Sequence, residues 1–111
     1  MTFLDYLNHM KALMRTEEAA AKAEQRQDEA VFARIRYNVY DVCATVHGAL
    51  QQAKGDAFPA AYEAKLHELE RTWSAAWDKA AHYADADRTF TEDVKLAALR
   101  DVITHWEANH D

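Results

Sequence analysis

Apolar residues recur every three or four positions through nearly the whole chain, and this spacing most constrains the fold. An α-helix with 3.6 residues per turn places such positions on one side. The chain contains only two glycines and one proline, so it offers few residues suited to tight β-hairpins. Each apolar stripe needs another helix to cover it. We therefore predict an all-α fold, a small bundle of three to four antiparallel helices with short loops.

The chain divides into four helical segments within a single predicted domain spanning 1–111, a typical length for one domain. Gly55 is placed to end the second helix, and Pro59 fits the first turn of the third. Thr89 and Glu92 fit a capping box before the fourth helix, with Thr91 as an equally plausible cap. The predicted helices are at approximately 2–24, 28–53, 57–84 and 90–109.

The connection between the first two segments is ambiguous, because the stretch EQRQDE contains neither glycine nor proline. One continuous helix over 2–53 would be about 75 Å long and would need a partner chain to cover it. We predict instead a break near Gln25–Asp28, with Asp28 as N-cap. The alternative prediction is one long helix that builds a dimer.

The stretch HELERTWSAAWDKAAHY, residues 67–83, resembles a ligand site only in its linear order, in which histidines flank two tryptophans. On a helical wheel Trp73 and Trp77 share one side, whereas His67 and His82 lie opposite. We therefore predict that the tryptophans anchor the core. Trp77 lies at the edge of the apolar arc and is the better candidate for an interface.

Six histidines are many for this length, so a metal site was considered. A di-iron bundle needs two Glu-x-x-His motifs, and only Glu107–His110 matches. We predict no metal or cofactor and interpret the acid–histidine spacings as exposed helical contacts; a metal-binding helical protein is kept as an alternative. Those spacings, each i, i+4, are Asp5/His9, Glu63/His67, Asp78/His82 and Asp101/His105.

The residues offer little for catalysis, and we expect no enzyme. Ser74, the only serine, lies on a polar helix flank. A Cys43–His47 pair has no identifiable orienting group or oxyanion hole. Glu17 lies on an otherwise apolar stripe and could mark a buried carboxylate, but polar neighbours favour a helix that has already left the core. Two glycines leave no phosphate-binding loop.

The second helix presents two apolar faces. We assign the first to the core: Val31, Ile35, Val39, Val42, Val46 and Ala49. The second includes the small-xxx-small spacing Ala44–Gly48, which would let another backbone come close, and tyrosines, which are favoured at interfaces. Packing of this face on the first helix of the same chain is the equal alternative. Together with Trp77, the candidate interface comprises Ala33, Tyr37, Tyr40, Ala44 and Gly48.

The formal charge of −6 lies entirely in residues 56–111, since residues 1–55 carry seven acids and seven bases. An acidic chain lacks the basic footprint of a nucleic-acid binder. No apolar run is long enough to span a membrane, no signal peptide is recognisable, and the single cysteine fits a reducing compartment. We expect a cytoplasmic, non-catalytic protein that acts through protein–protein contact, preferably as a homodimer. An acidic regulator of a basic protein is the alternative; no small-molecule ligand is indicated.

Overall fold

The computed structural model describes residues 1–108 and confirms the predicted all-α bundle. Consecutive helices run antiparallel, whereas α2 and α4 lie side by side and parallel: Phe32 contacts Phe90 near both helix starts, and Tyr40 contacts Asp101 further along. The elements are α1 (Phe3–Ala23), α2 (Gln27–Lys54), a short 3-10 turn (Gly55–Ala57), α3 (Phe58–His82) and α4 (Ala86–Ala108).

A tight turn over residues 24–26 separates α1 from α2, so the predicted break is present and the continuous helix is not. Gln25 adopts a left-handed conformation (φ 59°), and Arg26 N–H donates to the Ala21 carbonyl at 2.8 Å. These are features of the Schellman motif, which closes a helix end without leaving its last carbonyls unpaired. Glycine usually takes the left-handed position. Because glutamine takes it here, the sequence does not indicate the exact residue at which the helix ends.

The α3–α4 turn over residues 83–85 repeats the motif. Ala84 is left-handed (φ 53°), and Asp85 N–H donates to the Ala80 carbonyl at 3.1 Å. The Asp85 carboxylate then accepts from the Arg88 amide, as an N-cap side chain does. One short stretch thus ends α3 and starts α4.

Two predicted helix starts need correction. The N-cap of α2 is Arg26 and not the predicted Asp28, and the Arg26 side chain makes no capping hydrogen bond. The α4 helix begins at Ala86, four residues before the predicted start at 90. Thr89 and Thr91 lie inside the helix, where their hydroxyls donate to backbone carbonyls four residues back. Residues 86–89, which lie between the predicted third and fourth helices, form the first turn of α4 because the Asp85 carboxylate caps the Arg88 amide.

Gly55 ends α2 as predicted, with φ 52°, a conformation that residues with a Cβ rarely adopt. Pro59 lies in the first turn of α3, where its missing N–H costs no helical hydrogen bond. Helical structure resumes at Phe58 in the opposite direction, which lets α3 pack back on α2.

The core occupies one end of the molecule, where the start of α1 and α3 meets the end of α2 and α4. Tyr62 is fully buried, and its hydroxyl donates to the Cys43 carbonyl at 2.9 Å. The sequence predicts one apolar stripe on α4 and one on α1; the α4 stripe is buried throughout, and the α1 stripe is buried except at Met10, which is partly buried. The α4 stripe comprises Leu96, Leu99, Val102, Ile103 and Trp106; the buried α1 residues are Phe3, Leu7, Met14 and Ala21.

Away from this end the helices separate. The radius of gyration is 15.1 Å, whereas a compact domain of this length has about 13 Å. No Cα atom of α1 lies within 8 Å of one in α3. Phe58 at the start of α3 packs on His47, but Trp73, four turns later, borders an open groove beside α2. The divergence of α3 from α2 therefore leaves part of the apolar surface of α2 uncovered.

Candidate interaction surface

A largely apolar strip along α2 is left uncovered by the other helices. We call it the α2 strip and define it as Val31, Ile35, Asn38 and Val42. Val31 is 39% and Val42 38% exposed, Asn38 is exposed, and Ile35 is partly buried. Spacings of three, four and seven residues put all four on one side of the helix. The sequence assigned the three apolar members to the core; of that predicted stripe, Val39 is buried but the α2 strip lies at its open edge.

A groove of about 340 Å³ adjoins the α2 strip. Trp73 of α3 forms its far wall, and Thr91 and Lys95 of α4 contribute to its lining. The Lys95 ammonium lies 4.7 Å from the centroid of the Trp73 ring and 3.4 Å from a carboxylate oxygen of Glu92. A cation over an indole face is attracted by the ring quadrupole, so Lys95 holds this wall in place.

The α2 strip itself contains no charged residue, but charges border it. Arg34 and Asp41 lie on its outer flank, about 70–90° around the helix from the strip's centre. Asp41 pairs with Lys11 at 3.0 Å yet keeps 46% of its side chain exposed. Arg34 is exposed and makes no ion pair within residues 1–108. One free cation and one accessible anion therefore flank an apolar surface.

The face of α2 predicted as an interface packs largely on α1. Ala33 and Tyr40 are buried within the chain. The Tyr37 hydroxyl accepts from an Arg15 guanidinium nitrogen at 2.6 Å, and that guanidinium lies 4.4 Å from the ring centroid. Ala44 packs against the core. Of this face, only Gly48 is exposed, and a Cβ built there would meet nothing within 4 Å, so no other helix within residues 1–108 approaches it closely.

The two tryptophans of α3 are less buried than the wheel predicted. Trp73 packs against the core cluster from the groove side, and Trp77 is partly buried. The indole N–H of Trp77 is enclosed without a hydrogen-bond partner, beside a shallow surface groove lined by Asp93 and Arg100. His67 lies on the polar side, as predicted, 3.9 Å from Glu70 rather than paired with Glu63.

A polar cluster joins α1, α2 and α4. The hydroxyls of Tyr6 and Tyr40 both donate to Oδ2 of Asp101, at 2.6 and 3.3 Å. The His105 ring stacks on Tyr6 with centroids 3.7 Å apart. Burial and the nearby Asp101 carboxylate raise the pKa of Tyr6 well above its usual range and that of Tyr40 to about 12. Both tyrosines therefore stay neutral at physiological pH and act as donors that tie three helices together.

A second enclosed polar group lies among the aromatic rings of the core. His47 is buried, with ring centroids 4.8 Å from Phe58 and 5.2 Å from Tyr62, and its Nδ1 has no hydrogen-bond partner. Burial lowers the pKa of His47, which favours the neutral ring. Burial also raises the pKa of Cys43 to about 12. A protonated thiol with no exposed surface is a poor nucleophile, which argues against Cys43 as the nucleophile of a Cys43–His47 pair.

The remaining candidates do not converge. Glu17 is exposed and lies 3.9 Å from Arg36, which agrees with a helix that has left the core. None of the four acid–histidine spacings forms an ion pair within residues 1–108. No group of three or more histidine, cysteine, aspartate or glutamate side chains in that range is placed to hold a metal ion. The Glu107–His110 motif lies partly outside the described residues.

Comparison with protein-family models, curated proteins and solved structures finds no match. Among the helices of residues 1–108, none has a stretch sufficiently long and apolar to cross a membrane. The α2 strip had a partial signal in the sequence, because α2 carries two apolar faces that together cover much of its circumference. Which flank would be left open depends on the direction of α3, for which the sequence carries no local signal.

Proposed function

We propose that this protein is a non-catalytic interaction module that binds a protein partner through the α2 strip and the adjoining groove, with self-association as the preferred mode. The observation that carries the proposal is the exposure of Val31 and Val42 on the same side of α2 as Ile35. Contiguous apolar surface rimmed by polar groups is typical of protein interaction sites.

The size of the uncovered surface supports a contact of moderate strength. Fully burying a valine side chain stabilises by roughly 1.5–3 kcal/mol. Val31 and Val42 retain nearly two-fifths of their exposure, so covering each would contribute about 0.6–1.2 kcal/mol by area. Ile35 and the Trp73 wall add to this within a preformed groove. A partner helix lying along α2 would cover all four residues together, which is the helix-in-groove mode of recognition.

The groove favours a partner over a small ligand because it is open along its length. Its polar lining comes from Asn38, Thr91 and Lys95, and Lys95 is already engaged with Glu92 and Trp73. These groups do not converge on one point, whereas small-molecule sites usually combine an enclosed apolar cavity with a few convergent polar groups.

Substitution of Val42 by aspartate tests the proposal against a matched control. Val42→Asp places a charge on the strip, whereas Leu13→Asp alters an equally exposed (38%) residue of α1. Sedimentation equilibrium from low to high micromolar concentration should show self-association of the wild type and of Leu13→Asp, and loss of it in Val42→Asp. A wild type that stays monomeric throughout, or equal loss in both variants, would contradict self-association through this surface.

A further inference from the structure

We infer that the occupant of the α2 strip is the α2 strip of a second copy, packed antiparallel about a two-fold axis that passes between Asn38 and Val39. This inference rests on the proposed function and adds to it the partner, the direction and the register. It follows from the order of residues along the strip and from the charges on its outer flank.

The register follows from the apolar residues. In an antiparallel pair centred between positions 38 and 39, Ile35 of one copy lies level with Val42 of the second, and the two-fold axis repeats the contact. Both residues lie on the uncovered side of α2. The larger isoleucine thus meets the smaller valine on both sides of the axis, as alternating large and small side chains do in well-packed helix pairs.

The flanking charges favour the same arrangement. A two-fold axis perpendicular to the helices brings the outer flank of one α2 beside the outer flank of the other. Arg34 is then offset from Asp41 of the second copy by about 3 Å along the helix direction, given a rise of 1.5 Å per residue. The free cation of each strip therefore meets the accessible anion of the other, twice per dimer.

A parallel pair lacks this match. An axis parallel to the helices would place the outer flank beside the opposite flank of the partner, where Trp73 and Lys95 border the groove. Arg34 would then approach the flank that carries Lys95, a like charge, and would lie apart from Asp41 of the second copy. Charge complementarity thus selects the antiparallel form.

Asn38 is also suited to the centre of such a pair. Its amide carries both donors and an acceptor, so two Asn38 side chains related by a two-fold axis can hydrogen-bond to each other. A single polar residue in an apolar helix seam is a known means of fixing register at a cost in affinity. Asn38 is the polar member of an otherwise apolar strip, only half a residue from the inferred axis.

Disulfide trapping tests the direction and register. In Asn38→Cys the two introduced cysteines lie next to the two-fold axis. In Val31→Cys they are separated by about 22 Å along the helix direction, which is beyond the reach of a disulfide. Mild oxidation should give a covalent dimer of Asn38→Cys and leave Val31→Cys monomeric. Native Cys43 is fully buried, so the wild type is the control. Preferential cross-linking of Val31→Cys would overturn the inference.

Charge exchange provides a second test. Arg34→Asp alone and Asp41→Arg alone should each weaken the dimer roughly tenfold, as expected for disrupting two partly exposed pairs. The double variant should recover most of the affinity, and circular dichroism checks that each variant stays folded. If Val42→Asp abolishes association but charge exchange and Asn38→Cys behave like the wild type, the register is wrong and the proposed function stands. A monomeric wild type refutes the self-associating form of the proposal and this inference together.

Discussion

Phenylalanine in place of Tyr6 would remove a single hydroxyl from the cluster that joins α1 to α4. The ring would keep its stacking on His105, so the change isolates one hydrogen bond to Asp101. Bonds to charged groups contribute about 1.5–3 kcal/mol. Because Asp101 is solvent-exposed, we expect the low end, about 1.5 kcal/mol of lost unfolding free energy.

Tyr40→Phe is the internal comparison, since its hydroxyl reaches the same Asp101 oxygen at 3.3 Å rather than 2.6 Å. That distance exceeds the usual range for O–H···O bonds, so its loss should cost about 0.5 kcal/mol or less. Urea denaturation followed by circular dichroism measures both values, provided that the m-value stays constant.

Combining each change with Asp101→Asn completes two double-mutant cycles. The coupling energy of Tyr6 with Asp101 should be about 1 kcal/mol or more and should exceed that of Tyr40 with Asp101. Equal couplings, or a Tyr6→Phe change that is additive with Asp101→Asn, would refute the reasoning, because the carboxylate would then not be the partner that stabilises Tyr6.

Three further predictions concern other parts of the fold. Folding lowers the pKa of His47, so the unfolded chain binds a proton at this residue more readily, and the unfolding free energy should fall as pH drops below about 6.5. His47→Phe should flatten that pH dependence in denaturation series at pH 5–8. An unchanged slope in the variant would contradict the assignment to His47. Leu99→Ala, at a fully buried site, should cost about 2–5 kcal/mol in urea denaturation, and a cost below 1 kcal/mol would contradict the core assignment. Ala84→Gly should raise the thermal midpoint because Ala84 is left-handed, whereas the same change at Ala81, inside α3, should lower it.

The alkaline limit of stability has a defined direction. Tyr40 has a pKa raised to about 12 in the folded state, whereas an unperturbed tyrosine titrates near 10. A group whose pKa is raised by folding contributes stability that is complete below the unfolded pKa and is lost as pH rises above it. Unfolding free energy should therefore decline between pH 10 and 12.

The sequence predicted the helices well because apolar periodicity acts over every turn. It located the buried stripes of α1 and α4, since each of those helices has one dominant apolar face. It located the turns less well, because Gln25 and Ala84 adopt left-handed conformations without glycine. The capping role of Asp85 was likewise hidden in a stretch of small polar residues.

The two faces of α2 show where periodicity stops being informative. Both are apolar enough for burial, and a wheel alone does not say which one a neighbour covers. The three-residue turn after α1 brings that helix against the face with Ala33 and Tyr40. The partner of the Tyr40 hydroxyl is Asp101, 61 positions away, a pairing with no local sequence signal. Tertiary topology thus decides which surface of α2 is left uncovered.

The aromatic packing at the closed end brings the two ends of the described chain together. The rings of Phe3 and Trp106 lie with centroids 5.1 Å apart, in edge-to-face contact. A short flexible linker from the end of α4 to the start of α1 could therefore close the described bundle, and the chain could be cut in the exposed turn over residues 83–85. Such a circular permutant would keep every helix intact and leave the α2 strip uncut. Two proteins fused before α1 and after α4 would accordingly emerge from the same end of the bundle.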